Sequence, residues 1–77
     1  RTAIAFDLKR PQSASLTIHD LRGRTVAVLV DGMLEAGTHR VEWAGRDATG
    51  HELASGTYIA RLVTDQREFT SKLQLVR

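Results

Sequence analysis

Residues 37–62, GTHRVEWAGRDATGHELASGTYIARL, decide the fold. They hold Trp43, Tyr58 and four of the six glycines, and the 77-residue chain has no other Trp or Tyr. From Thr38 to Trp43 the side chains alternate, with Val41 and Trp43 on one face and Arg40 and Glu42 on the other, the period of a half-buried strand. Gly45 ends that run. Asp47-Ala48-Thr49-Gly50 then carries Asp first and Gly fourth, the preference of a type I turn. After a second break at Ser55-Gly56, a new strand places Tyr58, Ala60 and Leu62 on one side. The stretch therefore reads as two strands and a turn-rich link, with two aromatics large enough to anchor a small core.

The same grammar extends outward. Thr2 to Leu8 alternates, turning Ile4, Phe6 and Leu8 inward and Ala3, Ala5 and Asp7 outward. Lys9 to Ser13 is a polar break containing Pro11, which cannot donate a ladder hydrogen bond. Ala14 to His19 is a second strand with Leu16 and Ile18 inward and Ser15, Thr17 and His19 outward. Asp20-Leu21-Arg22-Gly23 repeats the Asp-x-x-Gly turn. Thr25 to Val30 is a third strand, favoured by β-branched residues. Its inward face is ambiguous, because Val26, Val28 and Val30 share one phase and Leu29 the other; either both faces are covered or a bulge shifts the phase. Asp31-Gly32 reads as a turn and Met33–Ala36 as a connector too short for an independent helix. Asp65-Gln66-Arg67 reads as a hairpin turn. Phe69 to Val76 is the last strand, with Phe69, Ser71, Leu73 and Leu75 on one face and Thr70, Lys72, Gln74 and Val76 on the other. All six glycines are expected between strands. Six strands, with a short seventh around Glu52-Leu53, predict an antiparallel sandwich or barrel.

Composition narrows the function. The chain is long enough for one domain and near the lower limit of what folds alone. It has no Cys, so neither a disulfide nor a thiolate metal site supports it. Stability must come from burying its 42% hydrophobic residues, at roughly 25 cal/mol per Å² of apolar surface. The net charge is +2 with basic residues scattered and aromatics at 5%, unlike the basic stripe and stacking aromatics of a nucleic-acid binder. No apolar run reaches membrane-span length. There is no Asn and hence no glycosylation sequon. The opening residues lack a signal-peptide pattern and lead straight into a strand, which suggests a module from a longer chain.

Candidate sites are few. His19, His39 and His51 lie 20 and 12 residues apart, without the close ligand pairs of a zinc site, and read as surface residues. Asp47, Thr49 and Glu52 miss the spacing of an EF-hand loop, and a turn accounts for Asp47 and Gly50. Ser13, Ser15, Ser55 and Ser71 lack any nucleophile context, and no Gly-rich loop leads into a helix. A domain this small is expected to leave little room for a pocket of ligand size. Trp43 and Tyr58 could form a stacking platform, but their apolar neighbours in phase point both into the core. The chain reads as a non-enzyme.

These residues resemble a bacterial family. The pattern across Thr2–Phe6, Leu16–Gly23, Asp31-Gly32, Ala36–Trp43, Asp47–Gly50, Ser55–Tyr58 and Lys72–Arg77 is similar to the Ig-like domain related to that of the flagellar hook-capping protein. It is equally similar to type A C-terminal sorting domains of the type IX secretion system. The resemblance covers nearly the whole chain, and its most specific parts are Ile18–Arg24, Gly37–Trp43 with Gly45, and Ser55–Tyr58. It implies an all-β, Ig-like antiparallel sandwich of about six to seven strands without a disulfide. Residues 1–77 would be a single module at the C-terminal end of a longer bacterial protein, secreted or on the cell surface. Trp43, Tyr58, Asp20, Gly23, Asp47, Gly50 and Gly56 would be its structural signature, and Lys72 and Arg77 would match the basic ending that sorting machinery reads. The Asn-Pro-rich motif that often opens such sorting domains is absent. Partners would be proteins, either secretion machinery or neighbouring subunits, with no cofactor, small-molecule substrate, nucleic acid or membrane span. The first expectation is therefore a sorting and surface-attachment module of type IX secretion. The alternative is a structural protein–protein interaction domain like that of the hook-capping relative, since the two share a fold.

Overall fold

The computed structural model describes residues 2–76. Six strands form, in order β1 (Thr2–Leu8), β2 (Gln12–His19), β3 (Thr25–Leu34), β4 (Gly37–Trp43), β5 (Gly56–Thr64) and β6 (Glu68–Leu75). They make two antiparallel sheets, β1-β4 and β3-β2-β5-β6. The result is a small Ig-like sandwich in which a two-stranded layer faces a four-stranded one. Its core is Leu16 and Ile18 of β2, Ala60 and Leu62 of β5, Trp43 of β4, and Tyr58, Ala14, Ala27 and Leu75, with Ile4, Phe6 and Val41 of the smaller sheet packed against it. The apolar phases expected for β1, β2, β4 and β5 are the buried ones, because a one-residue slip would turn each of these faces to water.

Several boundaries differ from the expectation. β2 starts at Gln12, two residues early, so Gln12 and Ser13 belong to a strand and not to the polar break. β3 runs on through Asp31-Gly32 to Leu34; no turn forms there, because Gly32 stays in register opposite Ala14 with φ +153°. Three glycines thus lie within strands, Gly32 inside β3 and Gly37 and Gly56 as the first residues of β4 and β5. The ambiguous face of β3 resolves as bulges: Leu16 opposes Val30 while Thr17 opposes Val28, and Ile18 opposes Ala27 while His19 opposes Thr25. Leu29 and Val26 are the extra residues, so buried positions fall in neither simple phase and Val28 is 55% exposed. Near Glu52 there is an isolated bridge, Arg46 to Glu52, in place of a seventh strand. Val76 lies just beyond β6 and is exposed.

Candidate functional site

Trp43, Tyr58 and the two Asp-x-x-Gly turns gather at one end of the sandwich. Trp43 and Tyr58 are both buried and meet edge-on, ring centroids 5.3 Å apart at 71°, a favoured aromatic geometry. Each satisfies its polar atom within the link between β4 and β5: Trp43 Nε1 donates to the Arg46 carbonyl at 3.0 Å, and the Tyr58 hydroxyl to the Ala54 carbonyl at 2.7 Å. These rings are core, with no stacking face presented to a ligand.

The two Asp-x-x-Gly turns are built alike. Gly23 N–H donates to the Asp20 carbonyl and Gly50 N–H to the Asp47 carbonyl, each at 3.0 Å, and both glycines take φ +89°. That positive φ is cheap only without a Cβ. The Asp20 carboxylate accepts the N–H groups of Arg22 and Arg24 at 3.0 Å, with the Arg24 guanidinium 3.3 Å away. Asp47 accepts the Thr49 hydroxyl at 2.8 Å and the N–H groups of Thr49 and His51 at 2.9 and 3.0 Å. Donors of this kind favour the ionised form. The Arg24 N–H foremost holds Asp20 below the usual carboxylate range, and the Thr49 hydroxyl foremost does so for Asp47. Both carboxylates are therefore occupied in shaping loops, and among the described residues no three His, Asp or Glu side chains converge as a metal site. His19 lies between Thr17 and Thr25, His39 stacks on Phe6 at 5.5 Å, and His51 contacts Thr49. Gly56 opens β5 opposite Leu75. Lys72 is exposed on β6 opposite Ile59, and Arg77 lies outside the described residues.

A second region escaped the sequence reading. Between β1 and β6 runs an open cleft of about 570 Å³, of the size that binds ligands, contrary to the expectation for so small a domain. Ile4, Phe6, Leu62, Phe69 and Leu73 form its apolar wall, and Ser71 lies between Phe69 and Leu73. Phe69 shares its face with the half-buried Leu73 and the core residue Leu75, yet it is half exposed because the two-stranded sheet does not reach across it. Gln12, 4% exposed, also lines the cleft. Its Nε2 donates to the Arg10 carbonyl at 3.2 Å, while its Oε1 is buried and finds no partner among the described residues. A signal for this was present: Gln12 occupies the inward phase of β2, two positions before Ala14, where an apolar residue is the norm.

Comparison with known proteins agrees with this architecture. The sequence matches the family model of the FlgD Ig-like domain over residues 1–68. The chain belongs to the FlgD Ig-like domain family. Among solved structures, the crystal structure of FlgD from P. aeruginosa is similar at a TM-score of 0.65 and 24% identity, across 95% of this chain and 58% of that chain. At that identity the likeness speaks for the fold alone. No curated protein matches the chain. The matched residues take in β1 to β5 and the first residue of β6. Like its family, the domain is an Ig-like module. No helix among the described residues is long and apolar enough to cross a membrane.

Proposed function

We propose that this domain is a structural docking module, one that holds neighbouring subunits or domains together in an exported bacterial assembly, as the Ig-like part of a hook-capping protein would. The observation that carries this reading is the half-exposed Phe69 in a cleft bordered by two edge strands, an apolar surface with unsatisfied backbone beside it. Surfaces of that kind take protein partners through a sheet edge or face. Residues 1–77 act as one module of a longer chain. The test is a photocrosslinking scan in the native assembly, with a benzoylphenylalanine placed in turn on each strand. One discrete adduct to a neighbouring protein is expected; adducts from no face would remove the docking role.

Export to the medium or cell surface through type IX secretion is the second reading. Its support is Lys72, exposed on the outer face of the last strand, together with the basic Arg77. Replacing both by Ala should move stability by no more than about 0.5 kcal/mol, as for other surface changes. The same change should stop a signal-peptide reporter fused to the domain from leaving the periplasm of a type IX-competent host. An intact fusion that folds and still stays in the periplasm would end the sorting reading.

A further inference from the structure

The cleft is more specific than an apolar patch. Its β1 wall is made by consecutive residues, Ala3 through Lys9, so both phases of the strand contribute and the strand's edge borders the opening. Among the described residues β1 pairs only with β4, and β6 only with β5. Two free edges, each a row of unpaired N–H and C=O groups, therefore flank one apolar floor. The floor includes Phe69, Ser71 and Leu73, the part of the four-stranded sheet that the two-stranded sheet leaves uncovered. An extended backbone supplies what these features lack: ladder partners for the edges and alternating side chains for the floor.

Charge sets the direction. β1 ends at Leu8, and Thr64 at the end of β5 opposes Ala14 near the start of β2. Lys9, Gln12 and the β5–β6 turn with Arg67 thus share the far end of the cleft, where two exposed cations line it. Asp7, the acidic residue along the wall, has its carboxylate engaged at 2.6 Å by the Thr38 hydroxyl.

We propose that the cleft is a strand-acceptor slot. It takes one extended segment of a partner protein, antiparallel to β1, with apolar residues at alternate positions and an acidic residue at the N-terminal end, beside Lys9 and Arg67. The added strand makes the smaller sheet three-stranded and covers Phe69. The inference rests on the docking reading and names the chemistry of its partner.

The test uses the ¹⁵N-labelled 77-residue chain and an acetylated, amidated heptapeptide, a glutamate followed by three Val-Thr pairs. The expected result is saturable shift changes at the amides of residues 3–8 and 69–73, with slowed hydrogen exchange along β1. A peptide of the same composition with its valines adjacent should bind at least about tenfold more weakly, and so should the original peptide on Ser71→Arg, an exposed position that leaves the core intact. A Lys9→Glu/Arg67→Glu variant should prefer the peptide that begins with lysine. Equal binding of the two valine arrangements overturns the proposal, as do shifts confined to β3 or β4, or no shifts at several millimolar peptide. Self-association without peptide that Ser71→Arg abolishes would give the slot to a second copy, and also overturns it. Native cross-links arising only from β3 or β4 would leave the docking reading standing while the slot falls. Peptide binding in the slot with no cross-links from any face would do the reverse.

Discussion

The two ends of this sandwich solve the same problem differently. At one end Trp43, Tyr58 and Leu75 are buried, both aromatic polar atoms are bonded, and the two Asp-x-x-Gly turns hold the connections. The Ala48 N–H even donates to the Val26 carbonyl at 3.0 Å, tying the second turn to the start of β3. At the other end Phe69 is half exposed and Gln12 Oε1 has no donor among the described residues. Both ends present large apolar side chains; only the first has a sheet on each side of them. Stability is therefore concentrated at the Trp43 end, and the Phe69 end keeps apolar surface in water.

The largest test of that contrast is a pair of truncations. Trp43→Ala should cost on the order of 3–5 kcal/mol, comparable with the whole stability of so small a domain. The variant should be mostly unfolded at room temperature by circular dichroism. Phe69→Ala should cost about 1 kcal/mol or less, since half of that ring is already in water. Similar losses in urea melts would mean that the two ends are equally packed, and the contrast would collapse.

Next come the turns that close the Trp43 end. Gly23→Val and Gly50→Val should each destabilise by at least about 1 kcal/mol. No atom lies within 4 Å of a Cβ built at either position, so the loss would come from backbone strain at φ +89° and not from a clash. An unchanged denaturation midpoint for both would show that the turns tolerate a side chain.

The smallest expected effect is the acid response of the same turns. Asp20 and Asp47 titrate below their ordinary value of 3.8 in the folded state. Unfolding raises their proton affinity, so their contribution is present above the unfolded value and is lost as pH falls through the folded one. Urea midpoints followed from about pH 7 to pH 2 should decline for the wild type. Asp20→Asn/Asp47→Asn should lower the neutral-pH midpoint and flatten that decline. A double variant with the wild-type slope would assign the acid sensitivity elsewhere.

Much of the Trp43 end was legible because its signals are local. The alternation of residues 38–43, the repeated Asp-x-x-Gly spacing and the Ser55-Gly56 break each act within a few residues, and the structure keeps the first two as expected while β5 takes in Gly56 as its first residue. The end of β3 was misread because Asp31-Gly32 has turn chemistry, while pairing with Ser15 and Ala14 holds it extended. Tertiary pairing overrode a local preference there. The cleft was not legible at all. It depends on β1 pairing with β4, some thirty-five residues away, and on that sheet stopping at two strands, which no local pattern records. Phe69 lay in the inward phase of its strand, yet inward meant toward a layer that does not extend that far.

Strand pairing has a mechanical consequence as well. Thr2 opposes Trp43 and Leu75 opposes Gly56, so β1 begins and β6 finishes at the Trp43 end. Tension between those two points bears on one rung of each ladder at a time, peeling β1 from β4 and β6 from β5 instead of shearing all rungs together. Load carried through residues 2 and 75 would strip the outer strands first and leave β2 and β5 paired, so the domain is built to yield at low force rather than to brace a taut chain.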